Sequence, residues 1–303
     1  MITLRQLRYF QALARFRHFG QAAEHCAVTQ PALSMQIKEL ERELGVDLVE
    51  RRATGVALTP AGEEIAGRAA AILAAVRELA ETARRRRGVL VGPLRLGLIP
   101  SAAPYLLPRL LKAAALSYPS LELLIRESQT SALLEELLRG DLDAAVVALP
   151  IGEPEVRSEP LFEDPFFLAV PAHAARAWSA GCDLAHQMSQ ERLLLLEEGH
   201  CLRDQALQFC QMANVQARRA LGAASLATIL QMVAAGQGVT LLPELCAEAE
   251  VDRGRVALIP FPEDPPKRVL GLVWRKSSGR VEDFAALAAL IRQARAPLGA
   301  SSG

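Results

Sequence analysis

The segment LLLLEEGHCLRDQALQFC, residues 193–210, sets Cys201 and Cys210 nine positions apart, with His200, Arg203 and Asp204 around the first of them. Gly199 and His200 precede an amphipathic stretch, Leu202 to Phe209, so Cys201 is expected at a helix N-terminus. There the free N–H groups and the positive dipole end favour a thiolate. Arg203 adds a cation two residues on, and Asp204 either orients that arginine or caps the helix turn. A thiolate supported in this way is a nucleophile suited to attack an O–O bond. Metal chemistry is not expected, because His200, Cys201 and Cys210 lack a fourth ligand and the close spacing of zinc motifs. GAAS at 222–225 and AAGQG at 234–238 read as turn and cap glycines rather than a phosphate loop, and no cofactor is expected. Cys26, Cys182 and Cys246 read as structural thiols, since buried cysteine behaves as a small hydrophobe.

The elements that must position these residues alternate. Leu94–Ile99, Leu121–Glu127 and Ala144–Leu149 read as strands, with helices over Tyr105–Leu116 and Ser131–Arg139 between them, which means parallel sheet with right-handed crossovers. Leu161–Val170 is an extended segment, Leu193–Leu196 a strand, Ser225–Ala235 a helix, and Gly238–Leu242 and Leu270–Trp274 are strands. Two α/β subdomains fit this count. Ligands bind beyond the carboxyl ends of strands in such sheets, so a site is expected at the loops Pro100-Ser101, Ser128–Thr130 and Gly199–Cys201.

The N-terminal part has a different grammar. Leu4, Leu7, Phe10, Leu13, Ala14 and Phe16 recur at helical spacing in a first helix over Leu4–Phe19, followed by the short run Gln21–Cys26. Thr29 is N-cap-like before Pro31, and Leu33, Ile37, Leu40 and Leu44 continue a helix to Gly45. With a break at Ala27 and Val28, this is a helix-turn-helix. Val46–Leu58 is interrupted by Ala53-Thr54-Gly55 and reads as a two-stranded wing. One long helix then runs from Thr59 to Arg87, with Ala61, Ile65, Ala69, Ile72, Val76, Leu79 and Ala83 forming a short coiled-coil seam.

The 303 residues are enough for two or three domains, and 51% hydrophobic with 22% charged residues excludes disordered, collagen-like and disulfide-scaffold classes. The start, MITLRQLRYF, lacks the unbroken apolar core of a signal peptide, and no stretch approaches the roughly 18 apolar residues of a membrane span. A cytosolic protein without a membrane partner is expected, where ordinary thiols stay reduced. A net charge of zero hides an asymmetry: the first 88 residues hold 14 Lys and Arg against 10 Asp and Glu. That split points to a polyanion partner for one domain, although the run Arg84–Arg87 reads more readily as a solvated helix end than as a binding site.

The block AAEHCAVTQPALSMQIKELERELGVDLVERR, followed by LTPAG at 58–62, resembles the N-terminal module of LysR-type transcriptional regulators. GHCLRDQA with FC after it, GPLRLGLIP, PYLLP, SQT and MVAAGQGVTLLP extend the resemblance over essentially the whole chain, most closely to peroxide-sensing members of that family. The resemblance implies an all-α N-terminal part and an α/β remainder. Residues 1–58 would be a winged helix-turn-helix DNA-binding domain and 59–88 a dimerisation helix. Residues 89–303 would be a two-lobed, periplasmic-binding-protein-like effector domain, with lobe I over about 89–162 and 268–303 and lobe II over about 163–267. In the recognition helix Thr29, Gln30, Pro31, Ser34 and Gln36 are candidate DNA contacts, joined by Arg51 and Arg52 at the wing. Gln30 can pair with adenine and Pro31 can touch a thymine methyl, while Thr29 and Ser34 suit phosphate or sugar.

The resemblance also implies that Cys201 reacts with hydrogen peroxide and Cys210 resolves it into a reversible disulfide. On an intact helix the nine-residue step separates the two by roughly 13.5 Å along the axis, pointing opposite ways. A disulfide needs Cα atoms within about 7 Å, so residues 199 to about 215 would have to remodel. Closing so short a loop constrains the unfolded chain by only about 2.7 kcal/mol, comparable to what the lost helix costs.

Ser101, Thr130, His200 and Arg268 match the family positions that hold peroxide. Ser101 stands where threonine is usual, which keeps the hydroxyl and loses the methyl that fixes its rotamer. Thr130 also reads as a helix N-cap, and His200 as a surface loop residue. Expected partners are double-stranded DNA, hydrogen peroxide, further copies in a homodimer or homotetramer, a thiol reductant such as a glutaredoxin or thioredoxin, and RNA polymerase. An activator of antioxidant genes, not an enzyme, is the reading. Two others stay open, a LysR-type regulator binding a small carboxylate or aromatic effector without redox chemistry, and a peroxidase with an appended DNA-binding domain.

Overall fold

The computed structural model describes residues 1–52, 55–85, 88–178, 184–212, 218–250, 254–261 and 265–295. Ala53 and Thr54 of the expected wing tip, Arg86 and Arg87, Cys182, and residues 213–215 lie outside them. The chain forms two compact units, Met1–Arg86 with Arg139–Asp141, and Arg87–Leu138 with Leu142–Gly303.

In the first unit α1 (Leu4–Phe16) opens with a capping box between Thr3 and Gln6. It stops three residues before the expected Phe19, because Arg17 turns left-handed at φ 49° and the His18 ring accepts the Gly20 and Gln21 amides to start α2 (Phe19–His25). Thr29 caps α3 (Gln30–Leu44), whose Leu33, Ile37 and Leu40 are buried as their spacing requires. The antiparallel wing pairs β1 (Val49–Arg52) with β2 (Gly55–Leu58). Then α4 (Pro60–Arg85) begins where Gly62 passes so close to the chain that an added Cβ would lie 2.1 Å from the Leu48 carbonyl oxygen. The expected seam on α4 divides. Ala69 is buried in the core of this unit with Ile65 packed against it, whereas Ile72 and Leu79 are 48% and 73% exposed. Periodicity marks apolar positions without saying which neighbour covers them.

The second unit begins with β3 (Gly92–Leu98), α5 (Ala103–Ser117), β4 (Leu121–Glu127), α6 (Thr130–Leu138) and β5 (Ala144–Leu149). β3 pairs in parallel with both β4 and β5, so the chain reverses its direction of winding at β3. Every residue of β5 except Leu149 is buried, the pattern of a central strand covered on both faces. β6 (Val156–Pro171) follows, longer than the expected Leu161–Val170 because it serves both lobes. Next come α7 (Ala175–Trp178), α8 (Leu184–Gln190), β7 (Arg192–Leu196), α9 (Cys201–Met212), β8 (Arg218–Ala223) and α10 (Leu226–Ala234). The chain closes with β9 (Thr240–Pro243), α11 (Glu244–Glu250), β10 (Val256–Pro260), β11 (Lys267–Arg275) and α12 (Val281–Ala294).

In lobe I the sheet runs β4-β3-β5-β11-β6, and in lobe II the far end of β6 pairs with β10 and β9. β7 and β8 pair in parallel and join β9 through the Leu193–Val239 bridge. Each lobe has its own core, one around Leu96, Val146 and Phe284, the other around Leu168, Leu194 and Leu230. Where β6 and β11 cross between them, Asp164 and Arg268 are register partners. Among the described residues no helix is long and apolar enough to cross a membrane.

Candidate functional site

The reversal of winding at β3 opens a crevice at the carboxyl ends of β3 and β4, where the loops carrying Ser101 and Thr130 leave the sheet. From lobe II the turn after β7 brings Gly199, His200 and Cys201 to the same place. Gly199 has φ +90°, and an added Cβ would lie 2.5 Å from the Gln129 amide oxygen, so the turn needs glycine. Ile99, Pro100, Ser101, Gln129, Thr130 and residues 199–202 enclose a cavity with about 10 Å³ of room for the centre of a water-sized sphere. That is space for about one water-sized molecule.

Cys201 is the first residue of α9. Burial pushes its thiol above the ordinary value, and the Arg268 cation, the Thr130 and Ser101 hydroxyls and the Leu202 amide pull it down without reversing the shift. Helix position favours the thiolate while desolvation opposes it, and on balance the thiol lies above its ordinary value. Arg203, the cation expected beside it, donates instead to the Leu196 carbonyl at 3.0 Å and ties α9 to the end of β7. Asp204 lies in the first turn of α9.

Arg268 organises the site from behind. Its Nε donates to Asp164 Oδ2 at 2.9 Å, Nη1 to Ser101 Oγ at 2.7 Å and Nη2 to the Ser101 carbonyl at 3.0 Å. The Arg268 and Asp164 side chains are fully buried, and the other carboxylate oxygen accepts the Leu245 amide at 2.9 Å. Because Ser101 Oγ accepts from the guanidinium, its own proton is free for the sulfur or for a guest in the cavity. Thr130 is the first residue of α6 rather than its cap, and its buried hydroxyl is directed at the Cys201 sulfur.

Cys201, Ser101, Thr130 and His200 thus line one cavity, with Arg268 bonded to Ser101. Cys210 is not among them. It is buried in the lobe II core, with its thiol likewise pushed up by burial. Sequence reasoning missed Asp164, Gln129 and Cys246. The positions of Asp164 and Cys246 depend on the pairing of β6 with β11 and on α11, which periodicity did not reveal, while Gln129 lies within the expected Ser128–Thr130 loop. Among the described residues no group of three or more His, Cys, Asp or Glu side chains could hold a metal.

In the first unit Thr29, Gln30 and Pro31 are exposed at the start of α3, and Ser34 and Gln36 are half-buried. The Thr29 hydroxyl accepts the Ala32 amide at 3.4 Å and so caps the helix. Met35, 63% exposed, and Lys38 extend the same exposed surface and were not anticipated. Arg51 and Arg52 end the first strand of the wing.

Residues 4–63 match the family model for bacterial regulatory helix-turn-helix proteins of the lysR family, and residues 87–296 that for the LysR substrate binding domain. The chain is 41% identical to the DNA-binding transcriptional dual regulator OxyR of Escherichia coli K12, covering 96% of this chain and 95% of that protein. It is 42% identical to a probable hydrogen peroxide-inducible genes activator of Streptomyces viridosporus, over 96% and 94%. Among solved structures, a full-length cysteine-to-aspartate variant of Pseudomonas aeruginosa OxyR aligns with a TM-score of 0.79 at 38% identity, covering 96% of this chain and 95% of that one. A hydrogen-peroxide-bound cysteine-to-serine mutant of Corynebacterium glutamicum OxyR aligns with a TM-score of 0.67 at 37% identity, over 96% and 92%.

Proposed function

The chain belongs to the LysR family of transcriptional regulators, and from that premise we propose that it is a DNA-binding activator of antioxidant genes that senses hydrogen peroxide through Cys201. The observation that carries this reading is a half-buried thiol meeting the Ser101 and Thr130 hydroxyls in a small cavity, with Arg268 fixed behind. A cavity this small suits peroxide better than a carboxylate or aromatic effector.

Peroxide in the cavity takes hydrogen bonds from Thr130 and Ser101, with His200 at its rim. The Cys201 sulfur attacks one oxygen, the O–O bond breaks, and the other oxygen leaves as water with the thiol proton. Cys201 is then a sulfenic acid. Arg268, acting through Ser101 and directly on the sulfur, stabilises the negative charge that develops as the proton departs. The Cys210 thiol next attacks the sulfenic sulfur and releases a second water, so two thiols and one peroxide become one disulfide and two waters. Since α9 holds the two thiols apart, the bond requires this helix to unfold, and the change reaches DNA by altered packing between effector domains of a dimer or tetramer. The exposed Ile72 and Leu79, seven residues apart on α4, suit the dimer seam. A cytosolic glutaredoxin or thioredoxin resets the switch, and RNA polymerase receives the signal. Turnover is stoichiometric unless the reductant recycles the thiols, so enzyme activity is incidental.

The test is thiol mapping by mass spectrometry after a few equivalents of peroxide. A Cys201–Cys210 linkage is expected in the wild type, no oxidation at Cys210 in Cys201→Ser, and a sulfenic acid or mixed disulfide at Cys201 in Cys210→Ser. Peroxide-dependent switching of DNA binding that survives Cys201→Ser would overturn the assignment.

A further inference from the structure

The cysteine that the sequence gives no role, Cys246, lies behind the reactive thiol. It is 0% exposed in α11, and its Sγ donates to the Ser101 carbonyl at 3.5 Å. That carbonyl also accepts Arg268 Nη2 at 3.0 Å, while Nη1 of the same guanidinium holds the Ser101 hydroxyl at 2.7 Å. Ser101 is therefore gripped at three points, two on its backbone oxygen and one on its side chain. The preceding residue in α11, Leu245, gives its amide to Asp164, the carboxylate that holds Arg268. One short helix thus supports both the arginine and the serine.

A serine needs such support. Without a second heavy group on Cβ its χ1 is free among three wells, whereas a β-branched residue is stiff there. The hydroxyl faces the Cys201 sulfur only while the loop backbone and χ1 are both held. We propose that Cys246 is a positioning residue for the peroxide reaction, its S–H fixing the Ser101 carbonyl so that the Ser101 hydroxyl stays on the Cys201 side of the cavity. It acts through Ser101. This inference rests on Cys201 being the peroxide-reactive thiol.

The experiment is stopped-flow oxidation of the reduced, full-length chain by hydrogen peroxide, followed as loss of the Cys201 thiol. Cys246→Ala slows the reaction by about three- to tenfold, the value of one weak hydrogen bond. Cys246→Ser, which returns a donor to the same carbonyl, recovers most of that loss. Adding Ser101→Thr to Cys246→Ala recovers it by a different route, because the methyl restores the rotamer. Serine and alanine variants that are equally slow would overturn the proposal, as would an alanine variant as fast as the wild type. Oxidation of Cys246 itself at stoichiometric peroxide would also overturn it, since a positioning thiol stays reduced. Should Cys246→Ala unfold, the serine variant alone decides: the wild-type rate supports the proposal and a tenfold loss refutes it. Unchanged peroxide consumption in Cys201→Ser would instead remove the parent reading, leaving the two failures distinct.

Discussion

Cys201 and Cys210 lie on one unbroken helix, α9, the first packed against the lobe I core and the second buried in the core of lobe II. Each thiol is held by a different lobe, so bonding them breaks the helix and removes Cys210 from its apolar neighbours at once. Hydrogen exchange is expected to show the amides of 201–212 protected in the reduced chain and rapidly exchanging after oxidation, with protection returning on addition of a thiol reductant. Equal protection in both states would mean that the disulfide, if formed, uses another pair.

The Arg268–Asp164 pair is fully buried, and removing one partner strands the other charge. Asp164→Ala is expected to destabilise the chain by about 3 to 5 kcal/mol in urea unfolding and to slow the reaction of Cys201 with peroxide. A loss below about 1 kcal/mol, the scale of an exposed pair, would show that water reaches the arginine.

Burial raises the Cys201 and Cys210 thiols above their ordinary value, so the folded chain keeps protons that the unfolded chain releases. Their contribution to stability is complete below the unfolded thiol pKa and is lost as pH rises through it toward the folded values. The melting temperature of the reduced protein should fall between roughly pH 8 and 10, more steeply than that of the Cys201→Ser, Cys210→Ser double variant. Parallel curves would contradict the shift.

Gln30→Ala is expected to weaken operator binding by about 1 to 3 kcal/mol and to relax one base position, whereas Arg52→Ala weakens all sequences and reduces the salt slope by roughly one. Binding titrations across operator variants and salt concentrations separate the two. A uniform loss for Gln30→Ala would make it a phosphate contact.

The local elements were legible because their signals are local. Thr29 before Pro31 starts a helix whose Leu33, Ile37 and Leu40 are buried by spacing alone, and Ala144–Leu149 reads as a covered strand from its unbroken apolar run. The motif around Cys201, at a helix start, was equally plain. What tertiary structure decided was every quantity set by neighbours distant in sequence. Position favours a thiolate at Cys201, whereas desolvation pushes the same thiol up. Arg203 was nearer along the chain, yet Arg268, brought in by the pairing of β11 with β6, is the cation that acts on the sulfur. Asp164 and Cys246 bear on that site only because β6 crosses between lobes and α11 packs behind Ser101. Helix and strand signals repeat within a few residues, whereas desolvation and long-range pairing depend on which segments the fold brings together.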